Sequence, residues 1–171
     1  YDPEQNHKDA GDIPALLTLG VGYSPIDALR INVGFHWFDD KEATSGYNWI
    51  KADGTKERVD RHKNLKRGTL EYNAGAEYDV NKMLTVSAGW QSTNYGLSDA
   101  SMDDKSFVVS SNSVGFGAKV NLTSKMSLSV AYFHTFYKHK KTSEQVSDKL
   151  TYTADYTRNN DVLGVGLDID F

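Results

Sequence analysis

Apolar and polar residues alternate with period two along most of this chain, most cleanly near residue 171. In VLGVGLDIDF, Leu163, Val165, Leu167, Ile169 and Phe171 are apolar, and Gly164, Gly166, Asp168 and Asp170 stand between them. Successive side chains of a strand point to opposite faces, so the pattern predicts a strand over 161–171 with two unlike faces. Six further stretches repeat it. A strand over 13–23 sets Leu17, Leu19, Val21 and Tyr23 against Thr18, Gly20 and Gly22. One over 28–38 sets Leu29, Ile31, Val33, Phe35 and Trp37 against Arg30, Asn32, Gly34 and His36. Over 69–80 the apolar row is Leu70, Tyr72, Ala74, Ala76, Tyr78 and Val80, and over 84–94 it begins Leu84, Val86, Ala88 and Trp90. Over 113–122 it is Val114, Phe116, Ala118, Val120 and Leu122. Over 127–137 it is Leu128, Val130, Tyr132 and Phe136, with His134 near the top.

No segment carries a helical period. The predicted connections alternate between tight turns at 24–27, 81–83 and 123–126 and long, charged loops at 39–68, 95–112 and 138–160. Short turns at one end and long loops at the other describe an all-β, antiparallel, up-and-down meander in one domain.

Such strands fit either a soluble sandwich with the apolar rows inside or a transmembrane barrel with those rows turned to lipid. Three features favour the barrel. Gly20, Gly22, Gly34, Gly75, Gly89, Gly115, Gly117, Gly164 and Gly166 all fall on the polar face. Glycine weakens a strand, so this concentration calls for a reason, such as bulky neighbours crowding a lumen. The predicted strands run near the roughly 9–11 residues that a tilted strand needs to cross a bilayer, about twice the globular average. Aromatic residues gather near strand ends, as in interfacial girdles: Tyr23, Tyr78 and Phe171 at the short-turn end, and Phe35, Trp37, Tyr72, Trp90 and Phe136 toward the loops.

Composition adds exclusions. The net charge of −4 gives no reason to expect nucleic acid, and the absence of cysteine removes disulfide and thiolate chemistry. No run of about 18 apolar residues could form a transmembrane helix, and YDPEQNHKDAGD is not a signal peptide.

Single-chain bacterial barrels have even strand numbers and periplasmic termini. Counting back from a downward strand at 161–171 makes 13–23 run downward too. Residues 1–12 are then an extracellular loop remnant, and an N-terminal part of the barrel is expected to be missing, because an open sheet leaves backbone groups unpaired in lipid.

With that topology, DIPALLTLGVGYSPIDALRINVGFHWF resembles the middle of the outer-membrane long-chain fatty-acid and aromatic-hydrocarbon transporters of the FadL/TodX type. Pro14, Gly22 and Tyr23 precede the turn, and Phe35 and Trp37 follow it. The segment SLSVAYFHTFY, with Tyr132 and His134, and then VLGVGLDIDF resemble the family's closing hairpin. The match covers most of 12–38 and 113–171. It implies a bacterial outer-membrane barrel, with these seven C-terminal strands out of fourteen. It also implies passive uptake of hydrophobic compounds such as long-chain fatty acids, and a plug in the absent N-terminal half. The alternative is a nonspecific porin, or a surface-binding barrel whose extracellular loops do the work. Membrane lipid, lipopolysaccharide and hydrophobic small molecules are the expected partners.

Arg30, Glu71, Glu77, Asp79, Lys119, Asp168 and Asp170 point to the lumen face as candidate ion-pair groups, since buried charges must pair. Arg30 and Glu77 are expected within reach of each other. Leu16, Phe38, Phe133 and Tyr137 are candidates for lining a hydrophobic ligand site, or else for packing under loops. The basic stretches 56–67 and 138–141 either attract carboxylates or phosphates or are plain solvated loop. No histidine has metal-ligand spacing, and Asp99, Asp103 and Asp104 match no calcium loop. No cofactor motif and no Ser/His/Asp order stands out, so no enzyme is expected. A barrel hydrolase would need a serine or aspartate beside His36 or His134.

Overall fold

The computed structural model describes residues 12–44, 46–60, 65–98, 108–147 and 150–170. Phe171, residues 1–11, His62 and the trio Asp99, Asp103 and Asp104 lie outside the described residues.

Eleven strands are present among the described residues, and no helix: β1 (Leu16–Ile26), β2 (Leu29–Phe38), β3 (Gly46–Ile50), β4 (Lys56–Asp60), β5 (Thr69–Asp79), β6 (Leu84–Asn94), β7 (Ser111–Thr123), β8 (Met126–Tyr137), β9 (Lys140–Ser147), β10 (Leu150–Tyr156) and β11 (Asn159–Ile169). Seven form one sheet in the order β1-β2-β5-β6-β7-β8-β11, so each strand pairs with the next in the chain apart from two local hairpins, β3–β4 and β9–β10. The β6–β7, β7–β8 and β8–β11 pairs are antiparallel. β1 and β11 are the open edges of the sheet.

The alternating pattern survives as two faces. Phe116 pairs with Ala88 and Tyr132, and Leu163 with Tyr132, which continues one apolar row across four strands. One position along, Gly115 pairs with Gly89 and Phe133, and Val162 with Phe133, on the opposite, mostly polar face. Almost nothing apolar is buried: among the described residues only Val109 and Ala154 qualify, while Leu163, Val165, Leu167, Val21 and Phe116 are 57–71% exposed. Among the described residues, no second layer covers the apolar rows of this sheet.

Two features differ from the sequence reading. β1 begins at Leu16 rather than 13 and runs through Pro25 to Ile26, so the first turn is Asp27–Ala28, not 24–27. An edge strand pairs on one side only, so a proline without N–H does not end it. The regions read as loops also contain the β3–β4 and β9–β10 hairpins. In the first, Gly54 N donates to Lys51 O at 2.9 Å and Gly54 adopts φ 81°. Asp53 Oδ1 accepts from Thr55 N at 2.9 Å, and Lys51 N donates to Thr55 O at 2.9 Å. This is a tight hairpin turn whose left-handed residue glycine adopts without strain.

The chain divides into two compact units. Thr18–His36, Glu71–Asn94 and Val109–Phe171 form one, which holds most of the seven-stranded sheet and the β9–β10 hairpin. Tyr1–Leu17, Trp37–Leu70 and Tyr95–Val108 form the other. Within the latter, Asp39 N donates to Ala15 O at 2.9 Å, Lys66 N to Gly96 O at 2.7 Å, and Asp40 accepts from both the backbone and the hydroxyl of Thr69.

Candidate functional site

On the polar face of the larger unit, strand register arranges side chains in three zones. The first is charged. Arg30 on β2 donates from Nε to Glu77 Oε1 at 2.7 Å, and from Nη1 and Nη2 to Asp79 at 2.7 and 2.8 Å. Thr85 Oγ1 donates to Asp79 Oδ1 at 2.7 Å. One planar guanidinium thus spans two carboxylates two positions apart on β5, and the fork to Asp79 fixes its orientation. The pairing expected of Arg30 and Glu77 is present, with Asp79 as the stronger partner.

The other ion-pair candidates do not join this cluster. Glu71 Oε1 accepts from Thr93 Oγ1 at 2.9 Å and from Gln91 Nε2 at 3.4 Å, and Asp168 Oδ2 accepts from Ser127 Oγ at 3.3 Å. Among the described residues Lys119 has no ion-pair partner, because its register neighbours are Thr85 and Ser129. Lys119 and Asp168, with Lys82 and Lys125, border a cavity of about 510 Å³ beside the β7–β8 turn. Neutral hydroxyl and amide groups, rather than basic side chains, hydrogen-bond Glu71 and Asp168.

The second zone is smooth. Gly75, Gly89, Gly115, Gly117 and Ala131 form the floor of two shallow cavities of about 450 and 470 Å³, with Asn32 and Phe133 at their margins. The glycines make room for neighbours that lie across them. A Cβ on Gly34 would sit 2.6 Å from Asn73 Oδ1, and one on Gly117 would sit 2.6 Å from Ser87 Oγ. The crowding read from the glycine-rich face is therefore local: small polar side chains crowd Gly34 and Gly117, and the Phe133 Cβ would stand 3.2 Å from a Cβ on Gly115. The third zone is a hydroxyl belt: Thr93, Ser111 and Thr135 are buried, and Ser113 Oγ lies 2.8 Å from Thr135 Oγ1.

The four ligand-lining candidates fall in different units. Leu16, 54% exposed, and half-buried Phe38 belong to the smaller unit, Phe133 and Tyr137 to the larger. Phe133 borders both cavities, whereas the Tyr137 ring lies under the Arg158 guanidinium, 5.5 Å from its centroid. The run at 138–141 is not wholly free of acid: His139 Nδ1 lies 3.4 Å, and Lys141 Nζ 3.9 Å, from Asp155. Of the stretch 56–67, residues 61–64 lie outside the described residues.

Sequence reasoning missed one cluster. On the apolar face, Asp161 Oδ1 accepts from Tyr132 Oη at 2.6 Å and lies 2.6 Å from His134 Nδ1. His134 thus meets the aspartate that a hydrolase would use, but no serine of β8 or β11 shares that face. Its other described contact is the edge of Phe136, with ring centroids 4.3 Å apart. No group of three metal-binding side chains occurs among the described residues.

The sequence matches no protein-family model and no curated protein. The crystal structure of a Pseudomonas aeruginosa FadL homologue, however, matches the fold over 92% of this chain, with a TM-score of 0.72 and 18% identity. The fold is FadL-like. The chain spans 36% of the length of that FadL homologue.

Proposed function

We propose that this chain is part of a bacterial outer-membrane barrel that lets hydrophobic compounds, such as long-chain fatty acids, cross passively. The observation that carries the reading is the pairing of a FadL-like fold with apolar rows left exposed on one face of the sheet. Hydrocarbon is the medium in which such rows are favourable and in which every backbone group must still be paired. The open edges at β1 and β11 fit seven of fourteen strands, with the rest of the wall and a plug supplied by an N-terminal portion. The polar face then lines the lumen. Its glycine floor leaves passage beside Phe133, and in the Arg30–Glu77–Asp79 cluster one guanidinium bonds both carboxylates and ties β2 to β5. No bond is made or broken in this function, and the concentration gradient drives it.

The test is uptake by cells lacking other hydrophobic-compound channels, with and without the intact protein. Expected is faster entry of a fluorescent long-chain fatty acid and no change for a small sugar. Entry of the sugar, with fatty-acid entry unchanged, would make the barrel a porin.

A further inference from the structure

The seven strands of the large sheet hold two lysine or arginine residues, Arg30 and Lys119. Both belong to the glycine-lined face. Arg30 is spent on Glu77 and Asp79. Lys119 is exposed, its register neighbours are Thr85 and Ser129, and it makes no ion pair among the described residues. It borders the cavity of about 510 Å³ together with Lys82 of the β5–β6 turn and Lys125 of the β7–β8 turn. Neither of these exposed lysines makes an ion pair among the described residues. Asn121 Nδ2 donates to Lys82 O at 3.1 Å and ties the two turns together. Asp168 on β11, and Asp170 just after it, border the same cavity, so three ammoniums face two carboxylates there. The basic groups come from the β7 side and the acids from the β11 side.

From Lys119 the same face of β7 continues as Gly117 and Gly115, and Gly115 stands opposite Phe133. Both glycines line the neighbouring cavity of about 450 Å³. Lys119 and Gly115 are four residues apart, roughly 13 Å at about 3.3 Å per residue. An alkyl chain laid over Gly115 and Gly117 therefore brings its end to the Lys119 ammonium. Hydrophobic cargo is of two chemical kinds, uncharged chains and chains that end in a carboxylate. An unpaired cation beside the path only costs the first kind, because an apolar chain takes water from it and returns no partner. The second kind supplies the partner. Thr123 Oγ1 accepts from Lys125 N at 3.2 Å, which leaves the Thr123 hydroxyl proton free to donate to the same carboxylate. Asp168 and Asp170 repel that carboxylate, which keeps it on the β7 side and makes the site one of passage rather than tight retention.

We infer that Lys119, backed by Lys82 and Lys125, receives the carboxylate of the cargo at the short-turn end of the wall, so that the barrel carries anionic amphiphiles in preference to uncharged chains. The inference rests on the transport reading under Proposed function. Uptake of radiolabelled dodecanoate and dodecanol by cells making the intact protein, measured above that of cells without it, tests the site. The wild type is expected to carry dodecanoate roughly threefold faster than dodecanol, the effect of one exposed ion pair. Lys119→Gln should remove that preference, and Lys119→Arg should keep it. Should Lys119→Gln fail to assemble, the double variant Lys82→Gln, Lys125→Gln is read in the same way and should weaken the preference. Equal rates for the two compounds in the wild type overturn the site without any variant. So does an unchanged preference in Lys119→Gln. Entry of a small sugar through Lys119→Gln but not through the wild type also overturns it, because the partner of Lys119 would then be a segment that fills the barrel. A wild type that carries neither compound refutes the transport reading as well, whereas one that carries both alike refutes the carboxylate site alone.

Discussion

Replacing Val165 by arginine tests which face meets lipid. Val165 lies on the apolar row opposite Val130 and is 69% exposed. It is four residues beyond Asp161, roughly 13 Å along the strand at about 3.3 Å per residue. At a strand tilt of about 40° that is roughly 10 Å of depth, close to the centre of an apolar band about 25 Å tall. An arginine at such a midplane costs roughly 2–4 kcal/mol, about 30- to 900-fold in the folding equilibrium. Gly164→Ser is the control on the opposite face: the nearest atom to an added Cβ is Ala131 O at 3.9 Å, so the serine fits without displacing a neighbour. Urea unfolding of the intact protein in phospholipid vesicles, followed by tryptophan fluorescence, reads both variants. Val165→Arg should lower the midpoint strongly and Gly164→Ser hardly at all. Equal tolerance of the two would mean that the apolar row is not against hydrocarbon, and the assignment of faces would be reversed.

Three further outcomes follow from the geometry. In double-mutant cycles, Arg30 should couple more strongly to Asp79 than to Glu77, because it makes two bonds to the first and one to the second, and Arg30→Lys should not restore the Asp79 coupling. Gly34→Val should destabilise the protein by roughly 1–3 kcal/mol through the clash with Asn73, and Asn73→Ala should recover much of that loss; additive losses would refute the close approach. The Thr55 backbone N–H holds the Asp53 carboxyl below the ordinary carboxylate range. Its contribution to the β3–β4 turn is therefore present at neutral pH and lost as pH falls through the lowered value. The Thr55 amide resonance should report a midpoint below that of a free aspartate, and a midpoint at or above it would remove the bond.

The strands of the large sheet were legible because each has one apolar and one polar face, so a period of two stands out. The β9–β10 hairpin was hidden because KKTSEQVS is polar on both faces and offers no contrast, although LTYTADY alternates Leu150, Tyr152, Ala154 and Tyr156 against Thr151, Thr153 and Asp155. The β3–β4 hairpin had a readable signal in Asp53-Gly54, which the charged surroundings obscured. Arg30 and Glu77 could be matched as opposite charges near the ends of neighbouring strands, but Asp79 as the bidentate partner could not, since that depends on side-chain reach across a register.

The sequence by itself determined the alternating faces, the meander of neighbouring strands and the glycine-lined polar wall, because these depend on residue type and on the fixed two-residue repeat of a strand. Only the tertiary structure decided which side chains meet. His134 and Asp161 lie 27 positions apart, and a slip of one residue in the β8–β11 register would send one of them to the other face. Register is a property of paired strands, and no single strand contains it.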